Sequence, residues 1–410
     1  MSVISPLRCV VVAMVLGAAA GCQSLPHSNP DRLPTVVSVV DGSTDRAGLN
    51  ARVHDAVIAK VAASFYRPDY GGIDWVGEAA SRRAATVAQP DEAGFYHALN
   101  ETLALLNDSH TSALQPATNL RRTTARVQAV PGFGFTMTHL DDNWIVTRVR
   151  EAGPAALGGV QVGWRVDALD GRPFEPGTLY GSATTLIRFA DADDGVHEVA
   201  LTPTLLGREL GRVDRRPDGV LVIAFREFDR ATRDWLGETL KRELLNPPRA
   251  VVIDLRGNIG GLDREVGLML SPFFGERRLI GIKNFRWLPD RHLWTRRQAL
   301  RFEGPLAVLT SPESASGAEI FAAAIQESGR GSIVGRTTAG AVVGSLLYDL
   351  PDGGSLSVGV VGYRTGAGNL LEQVGVVPDI PVTASLAELR AGRDPALEAA
   401  VRAILPDVSP

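Results

Sequence analysis

Hydrophobic and polar residues follow three different patterns along the chain. From residue 45 to about residue 119, apolar side chains recur every three to four positions, which predicts amphipathic helices, one of them over residues 91–106. Between residues 132 and 205, glycine-rich turns separate short alternating segments, which predict β-strands such as residues 144–149. Beyond residue 205, continuous apolar runs alternate with helical segments. This last pattern is typical of buried parallel strands with helices packed on the sheet.

The third region carries most of the predicted elements. Strands are expected at residues 220–225, 250–255, 305–309, 332–334, 346–350 and 355–363. Helices are expected at residues 232–245, from about residue 316, and at residues 395–404. The predicted fold class is therefore α/β: a mostly parallel sheet with flanking helices, preceded by an N-terminal helical segment and a β-rich domain.

The first 22 residues carry the pattern of an export signal. A short apolar run at residues 9–20 is too short to span a bilayer as a stable anchor. It ends in Ala19-Ala20-Gly21-Cys22, which resembles a bacterial lipoprotein signal whose cysteine is acylated. An ordinary cleaved signal peptide is the alternative. Residues 23–44, rich in proline and polar residues, are interpreted as a flexible tether.

The lipoprotein resemblance implies an exported, periplasm-facing protein with a lipid anchor at Cys22. Gln23, the next residue, favours the outer membrane by the same resemblance. Removal of the signal also removes Cys9 and leaves Cys22 as the only thiol, so an internal disulfide is excluded.

Composition narrows the classes of function. A net charge of −4 over 410 residues gives no electrostatic reason to expect nucleic-acid binding. The sequence contains no cysteine–histidine cluster with zinc-ligand spacing and no GxxxxGK[ST] phosphate loop, so no metal and no cofactor are predicted. Lysine is rare and occurs only at Lys60, Lys241 and Lys283. No pattern indicates an oligomeric state.

Two turns follow the carboxyl ends of predicted strands, where open α/β sheets bind their ligands. The first, residues 257–261, contains Gly260 and Gly261, whose backbone can approach a substrate closely and offer N–H groups. The second leads to Ser316 at the start of a helix, where unpaired N–H groups and the helix dipole favour a nucleophile and an oxyanion. Gly317 is the third candidate oxyanion donor. A serine that only caps the helix is the alternative.

The glycine-rich middle region resembles a PDZ domain. Gly132-Phe133-Gly134-Phe135 occupies the place of the carboxylate-binding loop, and its backbone N–H groups suit the C-terminal carboxylate of a peptide. A glycine-rich hairpin domain without a ligand is the alternative. The predicted domains are thus a helical domain at residues 45–125, a PDZ-like domain at residues 126–206 and an α/β core at residues 207–410.

Three motifs in the core extend the resemblance to a family. In order, they are Asp254-Leu255-Arg256-Gly257-Asn258-Ile259-Gly260-Gly261, Ser314-Ala315-Ser316-Gly317-Ala318-Glu319 and Gly375-Val376-Val377-Pro378-Asp379-Ile380. With the PDZ-like segment they resemble the carboxy-terminal processing, or tail-specific, protease family, which includes the tricorn core protease. The resemblance implies a ClpP/crotonase-like core. It also implies a serine endopeptidase that cleaves unstructured or C-terminal protein segments.

The best-known members of that family use a Ser–Lys dyad, which this chain lacks. The position that matches the lysine is Ala341, and no lysine follows Lys283. A tricorn-like branch uses histidine, and there the resemblance assigns His110 as base, Ser109 as bridge and Glu372 as orienting carboxylate for Ser316. These residues together supply the groups of a serine–histidine relay.

A protein of another class is the alternative: a non-catalytic peptide or apolar-ligand binding protein on the same scaffold. Two features permit this alternative. The lysine is missing, and Ile259 interrupts the glycine turn at residues 257–261.

Overall fold

The computed structural model describes residues 25–29, 32–127, 131–175, 179 and 183–405. The predicted signal peptide, with Cys22, lies outside the described residues. None of the helices in the described ranges combines the length and the apolar character that crossing a bilayer requires.

The N-terminal region is helical, as predicted. Its elements are α1 (Thr44–Ser64), α2 (Trp75–Val87), α3 (Glu92–Ala104), β1 (Ser112–Leu114) and α4 (Pro116–Val127). The first three helices begin where a polar side chain accepts a hydrogen bond from a backbone N–H group three residues on, at Ser43, Asp74 and Asp91. Helix α3 thus confirms the helix predicted over residues 91–106.

The glycine-rich middle region, the β-rich domain, folds as short antiparallel strands. Its elements are β2 (Pro131–Gly132), β3 (Phe135–Leu140), β4 (Asn143–Val149), α5 (Pro154–Leu157), β5 (Arg165–Leu169), β6 (Arg172–Pro173), β7 (Thr185–Ala190), β8 (Val196–Leu201) and β9 (Thr204–Leu205). The main sheet has the order β3-β4-β5-β7-β8, and β2 pairs with β9. Ile145, Val146 and Phe189 are fully buried in its core. Strand β3 lies at the edge of this sheet.

The third region contains the predicted α/β core. Its elements are β10 (Gly211–Arg215), β11 (Val220–Phe225), α6 (Arg230–Glu243), β12 (Ala250–Asp254), α7 (Asp263–Leu270), a 3₁₀ turn (Ser271–Phe273), β13 (Leu279–Phe285), β14 (Arg291–Trp294), β15 (Leu306–Thr310), α8 (Gly317–Glu327), β16 (Ser332–Gly335), β17 (Gly344–Asp349), β18 (Ser355–Thr365), β19 (Ile380–Pro381), α9 (Leu386–Arg390) and α10 (Pro395–Ile404).

The core sheet has the order β10-β11-β12-β15-β16-β19, and every pair from β11 onward is parallel. One face packs on α6, α7 and α8, and the other on α10. Strands buried on both faces explain the continuous apolar runs in the sequence. The predicted mostly parallel sheet with flanking helices is therefore confirmed.

Two predicted strands belong to a second sheet. Strands β17 and β18 are joined by residues 350–354 without an intervening helix, and they pair antiparallel. A connection this short can only form an antiparallel hairpin. The second sheet also contains β1, β13 and β14.

The N-terminal helices share their apolar core with this second sheet. Val53 and Val57 of α1 belong to the same buried cluster as Leu356 and Val358 of β18. The helical segment predicted as a separate domain thus packs directly on the core, and this packing carries the loop after α3 towards the carboxyl edge of the core sheet.

Part of the predicted tether is bound to the fold. Leu25–Asn29, called the strap, lies along β17: the N–H of Ser28 donates to Leu347 O (2.9 Å) and the N–H of Asp349 donates to Pro26 O (3.0 Å). Leu25 is buried. The flexible tether expected from composition is therefore docked over these five residues.

Candidate active site

Ser316 lies at the junction between β15 and α8, with an unusual backbone conformation. Its φ and ψ angles are 54° and −112°, in the positive-φ region that costs a non-glycine residue on the order of 1–3 kcal/mol. The other two serines of the turn have structural partners. The Oγ of Ser311 donates to Arg256 O, and that of Ser314 donates to Leu255 O (2.8 Å). Of the three hydroxyl groups, that of Ser316 is therefore the candidate for chemistry.

The turn at residues 257–261 lies directly against Ser316. A Cβ atom on Gly260 would come within 2.6 Å of Ser316 Cβ and 2.8 Å of Gly317 N. Gly260 also has a φ of 97°, which favours glycine. The N–H of Ala315 donates to Asn258 O (3.0 Å) and holds the two turns together.

Two of the three predicted oxyanion donors have free N–H groups. Within the described part of the chain, the N–H groups of Gly261 and Gly317 have no hydrogen-bond acceptor. The N–H of Gly260 differs, because it donates to the buried Oδ1 of Asn258 (2.8 Å). The structure thus leaves Gly261 and Gly317 as the available pair and removes Gly260 from the predicted set as a donor. Its role is to allow the close approach.

Ser109, His110 and Glu372, called the base cluster, are brought together as expected from the resemblance. The Oγ of Ser109 and the Nδ1 of His110 are 2.7 Å apart. Glu372 Oε1 accepts a hydrogen bond from the backbone N–H of Ser109 (2.7 Å), so Ser109 contacts the glutamate through its main chain and the histidine through its side chain. Asp108 Oδ1 accepts from the N–H groups of His110 and Thr111 (2.7 and 2.8 Å), which fixes the loop.

Residues 338–343, called the bridging loop, connect the base cluster to the helix of Ser316. On one side, Glu372 Oε2 accepts from the N–H groups of Val342 and Val343 (2.9 and 3.2 Å). On the other side lies Glu319 of α8, which is fully buried.

Glu319 accepts four hydrogen bonds. The donors are Thr338 Oγ1 (2.6 Å) and the N–H groups of Gly340 (2.7 Å), Ala341 (2.8 Å) and Ser316 (3.0 Å). Burial raises the pKa of this carboxyl, and the four donors act in the opposite direction. Glu319 thus holds the start of α8 to the bridging loop. Sequence reasoning did not assign it this role, although Ser316-x-x-Glu319 is a capping-box pattern.

No lysine occupies the place of the missing base. Ala341 donates its N–H to Glu319, Lys60 lies 4.4 Å from the ring centre of Tyr348, and Lys241 pairs with Glu238 (2.6 Å). Lys283 pairs with Asp263 in the first turn of α7. Among the hydrogen bonds of the described residues, none joins Ser316 to His110.

Arg67 supports the base cluster from the aromatic segment between α1 and α2. Its guanidinium group donates to the backbone carbonyls of Leu106 and Asn107, which follow the end of α3. Arg67 thus fixes the start of the loop that leads from α3 to Ser109 and His110. Sequence reasoning did not find this contact, because the residues are far apart in the chain.

The loop Gly132–Phe135 of the β-rich domain also carries free N–H groups. Gly134 has a φ of 82°, and the carbonyls of Phe133 and Gly134 accept hydrogen bonds from Ala155 and Arg150. The N–H groups of Phe133 and Gly134 have no acceptor among the residues that the structure describes. This arrangement can bind a carboxylate. Within the described ranges, no group of side chains could hold a metal ion.

Comparisons with known proteins agree with this geometry. Residues 219–382, which include Ser316 and Glu372, match the model of Peptidase family S41. The chain is 26% identical over 316 residues to carboxyl-terminal-processing peptidase 2, chloroplastic, of Arabidopsis thaliana, covering 71% of this chain and 61% of that protein. It is 27% identical over 304 residues to a carboxyl-terminal-processing protease of Picosynechococcus sp., covering 70% and 72%. This chain thus spans less than two thirds of the Arabidopsis protein.

A tricorn relative and two solved structures complete the comparison. The chain is 26% identical over 393 residues to putative tricorn protease homolog 2 of Streptomyces coelicolor, covering 86% of this chain and 32% of that protein. The fold is similar to that of a photosystem II D1 C-terminal processing protease, with a TM-score of 0.56, 21% identity and coverage of 88% and 98%. It is also similar to tricorn protease, with a TM-score of 0.54, 16% identity and coverage of 88% and 37%.

The matched family and these relatives are peptidases by name. The turn that carries Ser316, the candidate oxyanion donors Gly261 and Gly317, and Glu372 all fall inside the matched segment. Residues 219–382 therefore match the domain of Peptidase family S41, and the proteins to which this chain is similar include carboxyl-terminal processing proteases.

Proposed function

We propose that the protein is a serine endopeptidase that cleaves unstructured or C-terminal protein segments through an acyl-enzyme. Ser316 is the nucleophile, His110 the general base, Ser109 the bridge and Glu372 the orienting carboxylate. One observation carries the proposal: N–H groups of the bridging loop donate both to Glu319, on the helix of Ser316, and to Glu372, in the base cluster. A single loop thus ties together the two halves of a serine–histidine site.

The proposed reaction transfers one proton at each step. Since Ser109 binds Nδ1 of His110, Nε2 is the ring nitrogen left to accept the proton of the Ser316 hydroxyl as it attacks the scissile carbonyl. The oxyanion rests on the N–H groups of Gly261 and Gly317, each of which stabilises it by a few kcal/mol. His110 then protonates the leaving amine, and water hydrolyses the acyl-enzyme with the same histidine as base.

Substrate binding would complete the catalytic contact. Ser316 and His110 are not hydrogen-bonded to each other, and such contacts often tighten only in the substrate complex. Ser109 is exposed and His110 is half-buried. The base cluster therefore has room to adjust when a peptide fills the space above Gly261.

Recruitment is proposed to use the β-rich domain as a PDZ domain. The C-terminal carboxylate of a substrate would bind the N–H groups of Phe133 and Gly134, and its last residues would add as a strand to the free edge of β3. The same proposal places the protein on the periplasmic side, lipid-anchored at Cys22 to the outer membrane, as the sequence resemblance implies.

A fluorophosphonate probe tests the catalytic assignment. We expect the probe to label Ser316 in the native protein, and expect labelling to vanish in Ser316→Ala and to fall at least about 100-fold in rate in His110→Ala. His97→Ala is the matched control, because His97 is exposed on α3 and pairs only with Glu101. Normal labelling in His110→Ala would refute the assignment of His110 as the general base. No labelling in the native protein would favour the non-catalytic binding protein.

A further inference from the structure

A cavity separates the β-rich domain from the carboxyl edge of the core sheet. Its volume is about 510 Å³. One wall is formed by β3 and β4, and the other by residues that follow the carboxyl ends of β11, β12, β15 and β16. Ser316 is not part of its lining, but the turn that leads to Ser316 is, through Ser311 and Glu313.

Some of the arginines that line this cavity form ion pairs, and others do not. Arg148 pairs with Glu209, and Arg256 lies between Asp254 (2.8 Å) and Asp394 (2.7 Å). Arg226 and Arg336 are exposed and have no ion pair within the described part of the chain. A guanidinium group that faces a cavity without a carboxylate partner can bind the carboxylate of a ligand with two parallel hydrogen bonds.

Three further charged residues line the cavity without an ion pair among the described residues, namely Arg212, Asp214 and Glu313. Neither carboxylate lies within ion-pair distance of Arg226 or Arg336. The unpaired side chains therefore comprise three guanidinium groups and two carboxylates. This local excess of positive charge contrasts with the net charge of −4 of the whole chain.

Arg226 and Arg336, two of the three unpaired arginines, lie beside the turns that carry Gly261 and Ser316. The carbonyl of Arg226 accepts a hydrogen bond from the N–H of Ile259 (3.1 Å), two residues before Gly261. The N–H of Arg336 donates to Thr310 O (3.0 Å), and the hydroxyl of Thr310 donates to Arg336 O (2.9 Å). The backbones of both arginines are thus fixed, one to the oxyanion turn and one to the end of β15.

The opposite wall offers a strand edge. Among the strands that the structure describes, β3 pairs only with β4, and Thr136–Leu140 line the cavity. A peptide added antiparallel to β3, with its carboxylate at Gly134, would place the preceding residues alongside Thr136–Leu140 and across the cavity from the arginines.

We propose that Arg226 and Arg336 select substrates with acidic side chains in the residues just upstream of the C terminus. The proposal rests on the proposed endopeptidase function and deepens it by naming a substrate class. The acidic segment lies between β3 and the carboxyl edge of the core sheet, and the two arginines bind its carboxylates while the chain passes towards Ser316.

Peptide binding to the full-length Ser316→Ala protein tests the selection without cleavage. Two fluorescent peptides share the same last two residues and differ upstream, where one carries four Asp or Glu residues and the other carries Asn or Gln. We expect the acidic peptide to bind at least about tenfold more tightly at low salt, with the difference shrinking at high salt. Arg226→Gln and Arg336→Gln should each weaken it about fivefold, and the double variant should remove the preference.

The control is Arg82→Gln, which removes the same charge from α2, outside the cavity lining, and should leave the preference unchanged. Equal affinity for the two peptides, or a preference retained in the double variant, would overturn the proposal. Cleavage assays with the native protein distinguish a failure of the acidic selection from a failure of the proposed endopeptidase function. If the acidic peptide binds more tightly but neither peptide is cleaved, only the endopeptidase proposal is refuted. If both peptides are cleaved at equal kcat/KM, only the proposed selection is refuted.

Discussion

The nucleophile turn and the base cluster differ in how they are held. Ser316 lies between a fully buried strand and a helix whose first turn is buried, and Ser314 and Glu319 beside it have no exposed surface. The base cluster combines residues from the loop after α3 and from the segment before β19, with Ser109 exposed. The difference teaches that the core sheet fixes Ser316, the proposed nucleophile, whereas a few hydrogen bonds between distant segments set the position of His110, the proposed base.

Exchanging the carboxylates of Glu319 and Glu372 for amides should produce the largest difference in stability between the two regions. Glu319→Gln should lower the free energy of unfolding by about 3 kcal/mol, because an amide cannot accept from all four buried donors. Glu372→Gln, at a half-buried site, should cost about 1 kcal/mol while lowering kcat about 100-fold. Urea unfolding measures the stability of each variant, and peptide hydrolysis measures its kcat. Equal losses of stability would contradict the contrast.

A methyl group at Gly260 should damage the nucleophile turn. Gly260→Ala would place a Cβ 2.6 Å from Ser316 Cβ at a φ of 97°, and we expect a loss of about 2 kcal/mol with at least a 100-fold fall in kcat/KM. Gly237→Ala is the control, because that glycine is in α6 with nothing within 4 Å of the new atom. It should raise stability by about 0.5–1 kcal/mol. Wild-type kcat/KM in Gly260→Ala would refute the close approach.

Loss of Arg67 should affect the base cluster more than the fold. Arg67→Ala removes the donor to the carbonyls of Leu106 and Asn107, so the loop that carries His110 should shift. We expect kcat to fall about tenfold and the free energy of unfolding by about 1 kcal/mol. Arg82→Ala on α2 should change neither. If kcat is unchanged while stability falls, Arg67 only supports α3.

The smallest effect is expected at an ion pair remote from both regions. The two hydrogen bonds from Arg83 lower the pKa of Asp55 to about 2, from 3.8. A lowered pKa means that this stabilisation is present above pH 4 and is lost as the pH falls through 2. Asp55→Asn should therefore cost less than about 1 kcal/mol at pH 6, since both side chains are largely exposed, and nothing below pH 2. Unfolding at the two pH values measures this. If Asp55→Asn is still less stable than the native protein below pH 2, this prediction is contradicted.

Local patterns predicted the nucleophile side well. Strand β11 and helix α10 have the bounds predicted from the sequence, and the strand–turn–helix at Ser316 is in place. These elements depend on periodicity and on turn residues, which neighbouring positions determine. The glycine at 260 was also recognised, but its N–H bond to Asn258 depends on the folded turn.

The base side could not be predicted in the same way. His110 and Glu372 were matched by family resemblance, and their link through the backbone N–H of Ser109 follows only from tertiary packing. Likewise, Glu327 reads as a solvated charge at the end of α8, yet it accepts from Thr365 Oγ1 (2.6 Å) and Asn369 Nδ2 (2.7 Å). Side-chain contacts between distant segments leave no periodic signal in the sequence.

The strap has a consequence for solubility. It occupies the edge of β17 that β18 leaves open, through the bridge between His27 and Tyr348 and the bonds of Ser28 and Asp349. An uncovered strand edge is a template for pairing between molecules. A protease that trims the chain past residue 29 would therefore expose the unpaired edge of β17, and the shortened protein would be prone to aggregate through that strand.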